Sequence, residues 1–534
     1  MRVKVASVLL LTALTAAGAT PDVGKEKLRK LAKLPSITLE TGWKFDRERG
    51  FIIEQTKAQK AAAIAEARKA LQGDNSDAGR FFHLGQLCRE NKEEASAGAA
   101  FTQAIELYRQ RVESQPGDGL SLAELGKALA AAGQFEESQS VLRESVRLAP
   151  KEWKCWAALG QSLDEASVSA LSGQTGVNND SAELLAARIP RGNSSSDQLN
   201  KSKKLLGEAA NCFDKAVAAA PEEAGPHFRR GLHRCLESFE RCAARMIRGE
   251  ENDDTAPRRS WYPLEALADF QEASRLKPDD FGAIAGLAIF ECHADTAQKG
   301  KAGFTREFSW NLLSEKSRRS VRELMTRLEN LGQSQDPQLA SGALEALGMF
   351  QGPILRDFRG SAASLRRAVS LDPSREQAWD MLTSMLARTE NYDELLSVCE
   401  ERARKKDSAH NRLLLAKAYE KLKQWDNAEE QVLGALNLDA NDFTANLAMG
   451  VLLIKRSQNA SVLADADGWL VRAEQFYGKL PDKSRQQSVD LTLTRSIYLA
   501  LTDNLETART WVKHIIEADK NNEFAREVLA AMAF

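Results

Sequence analysis

The sequence predicts an all-α chain built from stacked antiparallel helix pairs. Three observations carry that prediction. One pattern returns five times, a second pattern precedes it, and Pro is scarce at 14 in 534 residues. Plentiful Ala and Leu then favour helices over strands.

The recurring pattern reads "ESQSVLRESVRLAPKE" (137–152), "EAANCFDKAVAAAPEE" (208–223), "EALADFQEASRLKPDD" (265–280), "GSAASLRRAVSLDPSR" (360–375) and "NAEEQVLGALNLDAND" (427–442). A small residue (Ser138, Ala209, Ala266, Ser361, Ala428) is followed four places on by a bulky one: Leu142, Phe213, Phe270, Leu365, Val432. Three further on comes a second small residue, from Ser145 to Ala435. Steps of four and three keep all of these on one helix face. Four copies then reach Pro150, Pro221, Pro278 and Pro373. Proline cannot donate the next backbone hydrogen bond and pushes its predecessor out of the helix. The piece is an amphipathic helix with a stop signal.

A partner helix precedes it. "FFHLGQLC" (81–88), "LAELGKAL" (122–129), "WAALGQSL" (156–163) and "LEALGMFQ" (344–351) share Leu-Gly at one register, giving Gly85, Gly126, Gly160 and Gly348. A helix-interior Gly costs about 1 kcal/mol relative to Ala. Its recurrence predicts a second backbone packed closely against it. A turn such as "AAGQ" (131–134) joins the two helices into a hairpin.

Together these patterns resemble the tetratricopeptide repeat, a helix–turn–helix unit of roughly 34 residues. Residues 119–152, 375–408 and 409–442 match without insertion. The resemblance implies a right-handed α-solenoid, or superhelix, that binds a protein or peptide on its concave face. It implies a groove lined by first-helix residues beside the Leu-Gly core: Phe82, Gln86, Arg89, Lys127, Gln161, Arg229, His233 and Lys417. The carboxylate clamp of some relatives is not carried over, because the basic positions are scattered among Ala, Gln and Asp. Arg229, Arg230, His233 and Arg234 form the densest basic patch.

Repeat spacing sets the organisation. A leader is expected over 1–19, an arm and capping helix over 20–77, and repeats over 78–280. Loop insertions interrupt those repeats at about 167–198 and 245–263. An atypical helical segment covers 281–340, and further repeats with a closing helix cover 341–534. Within the arm, "KEKLRKLAKLPS" (25–36) reads as a solvated basic helix or flexible arm, and residues 51–71 as a helix capping the first repeat.

The leader rests on "MRVK", an apolar run of 13 and the small pair Ala17 and Ala19, which predict cleavage after Ala19. Cleavage takes the net charge from −2 to −4 and sends the mature protein to the periplasm or outside the cell. No later segment has the ~20 apolar residues of a spanning helix, so no stable membrane insertion is expected after cleavage. The near-neutral charge offers nothing that draws nucleic acid.

No catalytic or metal motif appears. Cys-x-x-Cys, His-Glu-x-x-His, a phosphate-cradling Gly-Lys loop and Gly-x-Ser-x-Gly are all missing from the sequence. His227, His233, Cys235 and Cys242 lie on one helix but on different faces or too far apart to share a ligand. No cofactor and no metal are expected. The seven Cys read as buried thiols, with a Cys155–Cys212 bridge as the alternative for that pair. The expectation is an exported, non-enzymatic scaffold that organises an envelope or secreted complex. The alternatives are a cell-wall or carbohydrate module using Trp43, Trp261 and Tyr262, and an enzyme built from the insertions.

Overall fold

In the computed structural model, the described residues are 21–34 (except 33), 43–46, 50–53, 57–172 (except 74), 196–247, 262–298, 310–480 (except 458 and 459) and 485–532 (except 521). They form two compact units: Glu40–Met385, and Met1–Leu39 together with Leu386–Phe534. The expected leader and most of both expected insertions lie outside the described residues.

The larger unit opens with an antiparallel strand pair, β1 (Trp43–Asp46) and β2 (Gly50–Ile53), in which Trp43 faces Ile53. The helix expected from 51 therefore starts later, as α2 (Lys57–Gly73). It packs on α3 (Ala78–Glu90), with Ile64 and Leu71 joining the cluster of Leu84, Cys88 and Phe101.

Helix pairs follow in order: α3 with α4 (Glu94–Ser114), α5 (Gly119–Ala131) with α6 (Phe135–Leu148), and α7 (Trp153–Ser172) with α8 (Ser196–Ala219). Next come α9 (Ala224–Ile247) with α10 (Leu264–Leu276), α11 (Phe281–Gln298) with α12 (Glu315–Leu331), and α13 (Pro337–Gln351) with α14 (Phe358–Leu371). The segment expected to be atypical is thus the fifth pair, α11 with α12. Its second helix keeps the small-then-bulky step, Ser317 then Val321, but has Leu324 where the third position is otherwise small.

The smaller unit holds α1 (Pro21–Leu31), α16 (Tyr392–Lys405) and α17 (Ala409–Lys421) paired with α18 (Trp425–Leu438). It continues with α19 (Phe443–Arg456) paired with α20 (Ala460–Lys479) and α21 (Arg485–Leu501) paired with α22 (Leu505–Ala518). The helix α23 (Glu523–Ala531) closes the stack, with Ala525 and Val528 fully buried. The division between the units falls within α15 (Glu376–Arg388).

The predicted close approach is a side-chain lock. A Cβ added at Gly85, Gly160 or Gly348 would sit 2.5, 2.8 or 2.6 Å from Phe101, Phe213 or Leu365, the bulky residue of the facing helix. At Gly126 the same Cβ would overlap Leu142. Gly231 against Phe270 and Gly450 against Leu470 complete the set without a Leu-Gly pair to announce them. Ala209, Ala266 and Ala428 are fully buried beside their bulky neighbours. Where the small residue is Ser, its hydroxyl takes a further role. Ser138 donates to the Gly126 carbonyl at 2.8 Å and Ser361 to that of Gly348 at 2.6 Å.

Three of the four proline stops are also bonded. The carbonyl of Pro150 accepts from the Trp156 indole at 2.8 Å, and that of Pro373 from Trp379 at 3.0 Å. The Pro221 carbonyl meets His227 Nε2 at 2.8 Å, and Ala440, where the proline is missing, accepts from Asn446 Nδ2 at 3.0 Å. A side chain six residues on thus satisfies a carbonyl that the broken helix leaves free.

The tight turns share one closure as well. Lys92, Gly133, Arg356, Glu390, Lys423 and Asp503 all have positive φ and all stand two residues before a second helix. The next amide commonly reaches back five residues, as in Gln134 to Leu129 at 2.9 Å and Gln424 to Tyr419 at 2.9 Å. This is the left-handed helix cap, and Gly133 alone fills it without a Cβ penalty.

Candidate functional site: the first-helix face

The first helices pack on one another, α5 on α7 and α7 on α9, and α11 on α13. Each second helix leans on the first helix of the following pair, as α4 does on α5 and α6 on α7. These contacts line up successive first helices, and on α5 and α7 one side keeps half-buried polar residues among buried neighbours. On α5 that side shows Glu124 and Lys127, three residues apart and ion-paired at 2.6 Å, among neighbours that are buried. On α7 it shows Gln161, whose amide donates to Glu165 Oε1 at 3.1 Å.

The regular lock, the stop bonded from six residues on, and the side-by-side first helices recur together. The pairs that carry these features have the arrangement of tetratricopeptide repeats.

The expected groove residues divide into two groups. Gln86, Lys127, Gln161, Arg229 and Lys417 are half-buried on first helices. Burial lowers the proton affinity of the Lys417 ammonium, which nearby Glu420 partly restores. The other three turn to structural work. Phe82 packs on Phe101 with ring centroids 5.8 Å apart. The Arg89 guanidinium lies 4.4 Å from the same ring and donates to the Ala131 carbonyl.

His233 corrects the expectation most clearly, because it is 2% exposed and bonded through Nδ1 to Asp164 at 2.8 Å. Burial works against its imidazolium, yet the Asp164 carboxylate outweighs it and raises the proton affinity overall. The basic patch around it is compensated internally. Arg230 and Arg234 reach Asp269 at 2.7 and 2.8 Å, and Arg230 also reaches Asp214 at 3.1 Å. Asp269 is 2% exposed and comes from the recurring pattern itself, as "ALADFQ". Its acidic character at a core position of that copy was the available signal, since an interior carboxylate requires a cation.

A second internal pair joins α13 to the start of α15. Arg375 meets Glu345 Oε2 at 2.7 Å and donates to Ser341 at 2.8 Å. Burial raises the proton affinity of Glu345 and the guanidinium opposes it. Tyr262, a candidate aromatic for polysaccharide, is instead stacked on His293 at 4.2 Å and 9° within the apolar cluster of Phe290. Trp261, and the side chain of Trp43, lie outside the described residues.

No group of three or more His, Cys, Asp or Glu suited to a metal occurs among the described residues. All seven Cys are buried and unbridged, so the Cys155–Cys212 alternative is not realised. Burial raises the thiol pKa of Cys212 to about 11 and of Cys399 to about 12, which removes the thiolate that redox or nucleophilic chemistry needs. Among the described residues no helix is long and apolar enough to cross a membrane.

No family model and no curated protein matches this sequence. Among solved structures the chain is similar to yeast Tom70, at 14% identity over 89% of this chain and 92% of that one, with a TM-score of 0.34. It is also similar to a tetratricopeptide repeat protein of Parabacteroides merdae, at 13% identity over 56% and 99%, with a TM-score of 0.34. A third is YrrB, described as a tetratricopeptide protein with an unusual peptide-binding site, at 17% identity over 34% and 88% and a TM-score of 0.25. The repeat assignment rests on the lock and the stacking described above.

Proposed function

We propose that the protein is an exported, non-enzymatic scaffold that holds a protein or peptide partner on its first-helix face and organises an envelope or secreted complex. The supporting observation is the half-buried polar side of α5 and α7, with Lys127 and Gln161 on these neighbouring first helices. Solenoids of helix pairs present such sides as one extended concave surface. Arg230, Arg234 and His233 of the basic patch are paired internally with Asp269, Asp214 and Asp164, which leaves Arg229 as its member on the groove side. Export rests on the N-terminal pattern, and intact-mass measurement of the protein from its native host tests it by the presence or loss of residues 1–19.

The partner reading is tested by light cross-linking in the source organism, purification through a C-terminal tag, and mapping of the linked lysines. A dominant partner attached at Lys127, Lys154 or Lys417 supports it. Links confined to the two insertions overturn it in favour of a site outside the repeats.

A further inference from the structure

The helix α1 carries none of the repeat signature, yet it is built into the smaller unit. It lies against α19, α21 and α23, three first-position helices of that stack. Leu28 is fully buried, Ala32 is 1% exposed and Leu34 is 7% exposed. All three belong to one apolar cluster with Ile454, Leu501 and Met532. Leu28, Leu31 and Ala32 follow the steps of three and four that place side chains on one helix face. Glu26, Lys27 and Lys30 stay exposed on the other.

The flank of that apolar face is basic and meets matching partners. Lys25 Nζ pairs with Asp503 Oδ1 at 2.6 Å, two residues past the end of α21. Arg29 Nε donates to Ser457 Oγ at 3.3 Å, the residue that caps α19. Lys25 and Arg29 are one turn apart, and each reaches the C-terminal end of a different first helix. Those ends carry partial negative charge, so two cations spaced by a turn fit two neighbouring ends. A helix with Leu three residues after the first cation and one before the second matches both features at once.

We infer that the α19–α21–α23 surface is a receptor for a basic amphipathic helix, and that α1 is its built-in occupant. A partner protein's helix with the pattern Lys-x-x-Leu-Arg-x-x-Ala displaces α1 and takes its place. The inference deepens the proposed scaffold role, because it names the partner chemistry and a contact that holds the site closed. The expected solvated arm is thereby replaced by an intramolecular ligand.

The test uses the full chain and a fluorescent peptide with the sequence of residues 21–34. Leu28→Asp in the chain spoils the occupant and leaves the receptor intact. Lys25→Glu/Arg29→Glu does the same without adding a buried charge, and circular dichroism melting confirms that both variants keep the repeats folded. The peptide is expected to bind either variant at least ten-fold tighter than the unaltered chain. Adding Asp503→Lys to the variant is expected to weaken that binding at least three-fold.

Equal affinity for the unaltered chain and the variants overturns the inference, as does the lack of binding to all of them. A dimer of the unaltered chain that the peptide dissolves overturns it too, because a second copy then supplies the occupant. None of these results touches capture of a partner through Lys127, so failure here and failure of the scaffold reading remain distinguishable.

Discussion

The pairs α5–α6 and α11–α12 belong to one unit and use opposite means to hold two helices together. In α5–α6 the contact is a notch, Gly126, into which Leu142 fits, closed by a short turn with Gly133 at φ 80°. In α11 the same register, seven residues into the helix, holds Ala288, which is 1% exposed, in place of a glycine. There all nine residues 284–292 are buried, including Glu291 and Cys292. The cause is company, since α10, α12, α13 and β2 all lie against α11.

A helix apolar all round shows no single face and so no register to repeat. On α5 two half-buried positions, Glu124 and Lys127, interrupt the buried run and mark the side left open. The notch and the open side are separate features, since α13 keeps the Gly348 notch while all of its residues 340–351 are buried.

The largest expected effect is in the notch. Leu142→Ala empties a fully buried site and is expected to cost about 2–5 kcal/mol in urea unfolding. Gly126→Val overfills the same site and is expected to cost about 1–3 kcal/mol. Equal stability of Gly126→Val and the unaltered protein would remove the notch from the account.

Two histidine environments, His293 on α11 and His233 on α9, separate next through pH. Burial depresses the pKa of His293 on α11 to about 3, so the unfolded chain takes up its proton first as pH falls below about 6.5. Acidification from pH 7 to 5 then weakens the fold by on the order of 1 kcal/mol through this half-buried ring. His293→Gln is expected to reduce that loss.

His233 works in the other direction. Its raised pKa contributes stability that is fully present below about pH 6.5 and lost as pH rises through the folded value. His233→Gln is expected to steepen the acid loss, measured as melting temperature against pH. Identical pH profiles for both variants would contradict the two assignments.

The smallest effects lie at backbone positions near helix starts and turns. Gly282→Ala is expected to stabilise α11 by a few tenths to about 1 kcal/mol, because its Cβ meets no backbone or apolar atom. Lys423→Gly relieves a left-handed residue at φ 60° and is expected to gain about 1 kcal/mol in melting experiments. A loss at either position would show that the helix start or the turn is held by contacts other than those seen.

Much of this was legible because the lock has sequence rules. The Leu-Gly register, the steps of four and three and the four prolines located α5 to α8, α13 and α14 before any coordinates. Gly231 and Gly450 were missed, since "RRGLHR" and "AMGVLL" lack the Leu before Gly. The turns escaped for a similar reason: five of the six left-handed positions are Lys, Arg, Glu or Asp, which announce nothing.

At the face, chain position alone put Phe82, Arg89 and His233 beside the groove. What decides their direction is a partner far along the chain, such as Asp164 for His233, 69 residues earlier. The docking of α1 was hidden in the same way, because Lys25 and Asp503 are 478 residues apart.

The central claim is that partners use the first-helix side. A photo-activated cross-linking residue placed singly at Lys127 or Gln161, and at exposed Arg147 on α6 or Arg275 on α10, tests it in the native host. The account predicts one shared cross-linked product from Lys127 and Gln161 and none from Arg147 or Arg275. A product from the second-helix positions alone would contradict it.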